Sequence, residues 1–153
     1  MKRNAFTMIE LVFVIVVLGI LAAIAIPKFA ATRDDAQIAK GRSDVAAIRA
    51  AIVSERQGRL MRGESGYINK LHSSSTILFD GNGSSTLLQY GIAAGDSNGK
   101  WNNPSCSGTP SICTYDFKVF NKAVTFKYTQ ADGKFECNTS NSTYGNECKL
   151  LIN

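Results

Sequence analysis

Few side chains in this sequence could do chemistry: four cysteines, one histidine and a handful of carboxylates. Cys106, Cys113, Cys137 and Cys148 all lie in the last third, with gaps of six, 23 and ten residues between them. A structural zinc site draws on close pairs such as C-x2-C, and these gaps do not supply them. An even number of cysteines in a small exported domain favours disulfides instead. Three pairings are possible. Cys106–Cys113 with Cys137–Cys148 is favoured, because each bridge closes a short Ser/Thr/Asn/Gly-rich loop beside an expected strand. The runner-up joins Cys113 to Cys137 across the sheet. His72 stands alone in a polar loop, and no G-x-S-x-G nucleophile motif accompanies it. No catalytic constellation is legible, and the chain is read as a non-enzyme. Asp96-Ser97-Asn98-Gly99-Lys100 spaces oxygen ligands ahead of a glycine, faintly like the opening of a calcium loop. It lacks the third spaced ligand and the downstream glutamate. Asp96 and Asn98 are therefore weak calcium candidates, an ordinary turn is the favoured outcome, and no other cofactor is expected. Asn138-Thr139-Ser140 and Asn141-Ser142-Thr143 are formal glycosylation sequons that more simply mark a flexible polar loop.

Glu10 is the carboxylate that most needs explaining. It is followed by an uncharged, almost wholly apolar run from Leu11 to Pro27. A charge deep in a bilayer costs roughly 2.5–3.5 kcal/mol on insertion scales, so such a residue usually has a partner and a function. Phe6 to Ile26, as a helix, would span about 30 Å, enough to cross a hydrocarbon core. Lys2 and Arg3 precede it and place the amino terminus on the cytoplasmic side. A secretory signal peptide would show a similar basic start and a small-x-small site such as Ala23-Ile24-Ala25. Glu10 interrupts its hydrophobic region, however, and the apolar stretch continues into a helix-patterned segment. A plain uncleaved anchor explains the length but not Glu10.

The run Lys2-Arg3-Asn4-Ala5-Phe6-Thr7-Met8-Ile9-Glu10-Leu11 closely resembles the class III leader junction of type IV pilins and type II secretion pseudopilins. The resemblance implies that a prepilin peptidase cuts between Ala5 and Phe6 and that the new amino terminus at Phe6 is methylated. The family usually has Gly before the cut, where this chain has Ala5. Glu10 would become the fifth mature residue and Pro27 the twenty-second, the family's kink position. Cleavage would expose a positive amine at membrane depth, and pairing it with a carboxylate relieves the desolvation of both. The resemblance implies that Glu10 neutralises the amine of a neighbouring subunit entering a filament.

These residues need a scaffold. Proline at 27 removes a helical hydrogen bond and should bend the helix. From Lys28 to about Met61, Val45, Ile48 and Ile52 share one face, with Ile38 seven residues before Val45. Gly41 weakens this helix locally by about 1 kcal/mol relative to Ala and is a possible second flexible point. Glu64 to Asn103 is loop-like, with Thr76–Phe79 and Thr86–Ile92 as short helices or edge strands. Tyr115–Phe120, Ala123–Tyr128 and Lys134–Cys137 form a three-stranded meander signal, with Asn121-Lys122 as the first turn. The expected fold is α+β: a long amino-terminal transmembrane helix, kinked near Pro27, packed on a small carboxy-terminal antiparallel sheet. Its expected divisions are a leader (1–5), a transmembrane helix (6–27), the periplasmic half of the helix (28–62) and a variable loop plus sheet domain (63–153).

Formal net charge is +5, or 5 − 2 = +3 without Lys2 and Arg3, and the basic residues are scattered, so no nucleic-acid binding is indicated. The resemblance implies a structural subunit of a pilus-like filament, closer to a type II secretion pseudopilin than to a type IV pilin of an adhesion, motility or DNA-uptake filament. The implied partners are further copies of the chain, the prepilin peptidase, an inner-membrane platform protein, an assembly ATPase, and membrane lipid before assembly. The implied location is the bacterial inner membrane, with the carboxy-terminal domain periplasmic, then a periplasmic or cell-surface filament. The rival from another class is a signal-peptide-cleaved periplasmic binding domain.

Overall fold

The computed structural model describes residues 6–152, with the side chains of 26–32 outside the description. One helix, α1 (Met8–Met61), dominates the chain. The chain falls into two compact units, Met1–Ala36 and Gln37–Asn153. In the first unit, the window Met8–Ala25 has a mean hydropathy of 2.9 and none of it is buried. It is long and apolar enough to cross a membrane. The helical backbone continues through position 27. The side chain of Pro27 lies outside the described residues, as does the leader with Ala5.

The second unit is built by burial. Val45, Ile48 and Ile52 are at most 2% exposed, and Ile38 packs against the same core. Their spacing of three, four and seven residues lays one apolar stripe along the second half of α1. Four strands lie in sequence order in one antiparallel sheet: β3 (Trp101–Ser107), β4 (Ile112–Val119), β5 (Lys122–Thr129) and β6 (Lys134–Cys137). A small pair, β1 (Ile77–Leu78) and β2 (Ile92–Ala93), stands apart from it. Period-two alternation turns Cys113, Tyr115, Phe117 and Val119 of β4 inward, with Val124, Phe126 and Tyr128 of β5. Phe79, from the loop region, packs edge-on to Trp101 at 5.0 Å, and Phe126 stacks on Phe135 at 5.2 Å. Trp101 also donates its indole N–H to Asp44 Oδ2 at 3.0 Å, tying the start of β3 to α1. A short helix, α2 (Gly145–Ile152), closes the chain and buries Cys148 and Leu151.

Several expectations are corrected here. The sheet has four strands rather than three, because Trp101–Ser107 pairs along the edge of β4. Asn103 and Pro104 disguise that strand: they sit at a register shift between Asn102 and Ser105, which an edge strand tolerates. The first turn is Phe120-Asn121, not Asn121-Lys122. Val119 pairs with Lys122, and both turn residues have positive φ, 51° and 59°, as a two-residue primed turn demands. Gly41 is a packing position rather than a flexible point. It is buried, and a Cβ there would come within 2.7 Å of the Phe117 ring. Cys113 and Cys137 are not neighbours, since β5 lies between their strands. The bridges run Cys106–Cys113, directly across β3 and β4, and Cys137–Cys148, from β6 to α2. The sequon asparagines fold their own loop: Asn138 Oδ1 accepts the Ser140 N–H and Asn141 Oδ1 accepts the Thr143 N–H, each at 2.9 Å.

Candidate functional site: the capped start of the long helix

The described part of the amino-terminal site begins at Phe6, which lies outside the helix and is 80% exposed. The helix starts two residues later, and Thr7 is its amino-terminal cap. Glu10 N–H donates to Thr7 Oγ1 at 3.3 Å. In return, Thr7 N–H and Thr7 Oγ1–H both donate to Glu10 Oε2 at 2.9 Å. This reciprocal pattern is a capping box. It satisfies backbone donors that the first turn would otherwise leave open, and it is worth roughly 0.5–2 kcal/mol. The carboxylate also lies at the positive end of the helix dipole.

Glu10 is thereby held in a defined position. The two hydrogen bonds draw its carboxylate back over Thr7, towards the segment that begins at Phe6. Phe6, Ile9, Glu10, Phe13 and Val14 border one shallow, mainly apolar hollow. The arrangement offers an anion, fixed by its own helix start, on an otherwise apolar surface. Such a group suits a cation that must be matched without water. The cap had a signal in the sequence, since Thr-x-x-Glu ahead of an apolar run is a capping-box pattern.

The other candidate residues have structural occupations. Asp96 Oδ1 lies 3.3 Å from Lys118 Nζ, and Asn98 Oδ1 accepts the Asn121 N–H at 3.0 Å. A lysine ammonium beside Asp96 disfavours a calcium ion there. Among the described residues, no three His, Cys, Asp or Glu side chains cluster as a metal site would require. His72 Nδ1 lies 2.9 Å from the hydroxyl of the buried Tyr115, which also accepts the Leu71 N–H. Burial, and secondarily Lys70, lowers the His72 pKa, against a smaller opposing effect of Asp80. Glu147 accepts a hydrogen bond from Lys122 Nζ at 2.6 Å, and that contact is the main cause of its lowered pKa.

Comparison with known proteins bears on the amino terminus. The family model for the prokaryotic N-terminal methylation motif matches residues 1–26. The type IV narrow pilus major component PilA5 of Thermus thermophilus is 47% identical over 51 residues, 33% of this chain and 44% of that protein. The type II secretion system core protein G of Pseudomonas aeruginosa is 39% identical over 51 residues, 33% of this chain and 36% of that protein. The matches thus span less than half the length of these relatives. No solved structure matches the chain. The amino-terminal third of the chain is thus similar to a type IV pilin and a type II secretion core protein, and it opens with the prokaryotic N-terminal methylation motif.

Proposed function

We propose that this chain is a structural subunit of a type IV pilus-like filament, cut before Phe6 and methylated there. The observation that carries the proposal is the Thr7–Glu10 capping box at the head of the apolar segment Met8–Ala25, none of which is buried. Cleavage creates a cationic amine at Phe6, and Glu10 of a neighbouring copy is its counter-ion as the subunit leaves the lipid. Pro27 relaxes the helix, and residues 63–153 form the surface domain. The processing enzyme, a membrane platform protein and an ATPase complete the assembly partners, and the chain waits in the inner membrane with its sheet domain periplasmic.

Within this class we favour a type II secretion pseudopilin, supported by the short mature chain and the Ala/Ile/Arg-rich second half of the helix. A surface pilin is the second reading, favoured by the Cys137–Cys148 bridge around the carboxy-terminal loop. Neighbouring genes separate the two: a secretin and a secretion ATPase for the first, a retraction ATPase for the second. Amino-terminal analysis of the protein from its host tests the proposal itself. N-methyl-Phe6 is expected, whereas a start near Ile26 makes the chain a secreted domain. A second arm compares Glu10→Gln with Glu10→Ala. Glutamine keeps the cap but not the charge, so both variants should insert in the membrane and both should fail to form filaments. Normal filaments from the Gln variant would remove the ion pair from the mechanism.

A further inference from the structure

The second half of α1 carries a carboxylate that its own fold leaves short of partners. The Glu55 side chain is only 6% exposed, and both of its oxygens are buried without a hydrogen-bond donor. Arg59 and Arg62 approach Glu55 Oε1 at 3.9 Å and 3.6 Å, beyond hydrogen-bond reach. Arg59 is held more closely by the half-exposed Glu64, at 2.7 Å, and Arg62 lies about equally near Glu64, at 3.5 Å. A buried carboxylate held only at those distances is costly, because desolvation is not offset by donors.

Glu55 lines a groove of about 530 Å³ between the end of α1 and the loop around residues 82–87. Ser54, Ser84 and Ser85 line it as well, with Arg59 and Arg62. The loop wall is preset: Asn82 Oδ1 accepts the Ser84 and Ser85 N–H groups at 3.0 Å and 2.8 Å. Arg62, 53% exposed, lies at the open side of the groove. The site therefore asks for N–H donors that can reach a carboxylate and then meet hydroxyl oxygens. A lysine or arginine side chain supplies them, and a guanidinium can serve both oxygens at once. A bare metal ion is disfavoured by the two arginines. The four charges already present, two arginines and two glutamates, cancel, so a third cation makes this cluster no more than singly positive. Without Lys2 and Arg3 the chain has 17 − 2 = 15 basic against 12 acidic residues, so a second cleaved copy still brings spare cations to a scarce anion.

We infer that this groove is a socket for a basic side chain of a second copy of the chain, with Glu55 as its buried counter-ion. The inference rests on the filament reading above. The test places a photo-crosslinking amino acid at Ser84 in the full-length chain, in cells that assemble it. The expected product is a covalent dimer whose second attachment maps within two residues of a lysine or arginine. Glu55→Gln should lower the dimer yield by about tenfold or more, as truncating one partner of a buried charge pair does. The melting temperature of the detergent-solubilised Gln variant should be unchanged or higher, because a buried charge without a hydrogen-bond donor has been removed. A purely internal ion pair predicts the opposite: a lower melting temperature and an unchanged dimer. Filaments without a Ser84 dimer, a dimer mapped to a segment lacking basic residues, or attachment to another protein would each overturn the socket alone. If the wild-type chain forms no filaments, the filament reading falls and takes the socket with it.

Discussion

The two halves of α1 face different surroundings with one backbone. From Met8 to Ala25 nothing is buried, although nearly every side chain is apolar. From Ile38 to Ile52 only positions 41, 45, 48 and 52 are buried, each against side chains of the same chain. Each half also carries one awkward glutamate. Glu10 is exposed but hydrogen-bonded to its own helix start, whereas Glu55 is buried without a donor. In the first half the apolar surface lacks a partner and the charge is locally satisfied. In the second half the apolar surface is satisfied and the charge has two arginines nearby but no hydrogen-bond donor. What a half leaves unmet is what it presents to other molecules, and that differs along a single helix.

The sharpest way to break this contrast is to delete a large side chain from each half. Trp101→Ala, opposite the second half, should cost the sheet domain about 3–5 kcal/mol. Leu18→Ala, in the exposed half, should change that domain's stability by less than about 0.5 kcal/mol. Thermal melts of the full chain in detergent would measure both, and equal losses would end the distinction. Next come the bridges. Replacing Cys137 and Cys148 with Ser should cost roughly 3 kcal/mol, and replacing Cys106 and Cys113 roughly 2 kcal/mol, since the chain-entropy model ranks them by loop length. Denaturant midpoints of the two double variants would test that order. Smaller still is the cap: Thr7→Ala should weaken the helix start by about 1 kcal/mol, and Thr7→Ser should restore it. Faster amide hydrogen exchange at Glu10 in the Ala variant alone is the expected signature.

The smallest effect is a dependence on acid confined to the sheet domain. His72 has a folded pKa below its ordinary 6.5, so its neutral form contributes stability above that value. That contribution is lost as pH falls through the folded value. Glu147, held below its ordinary 4.5 chiefly by the hydrogen bond from Lys122, behaves the same way at lower pH. A melting curve against pH should therefore decline in two steps on acidification. Lys122→Met should flatten the more acidic step and leave the His72 step in place.

The sequence was most informative where structure is local. The apolar run, the stripe at 45, 48 and 52, and the inward alternation of β4 and β5 are periodic patterns that need no knowledge of distant residues. The edge strand β3 was hidden because Asn103 and Pro104 are poor strand formers, and only its pairing to β4 defines it. Helix α2 was hidden because eight residues carry a weak pattern and it is held by a bridge to β6. The role of Gly41 depends on Phe117 and Leu151, which lie far away in the chain.

By itself, then, the sequence determined the membrane-length helix, the amphipathic half that follows it and the methylation motif at its head. All three reside in residues adjacent along the chain or one helical turn apart. The pairing of the cysteines, the Trp101 indole on Asp44, and the burial of Glu55 with Arg59 drawn off by Glu64 came only from the folded arrangement. Those outcomes depend on how loops and strands return to the helix, and burial sets the cost of a charge only once that return is complete.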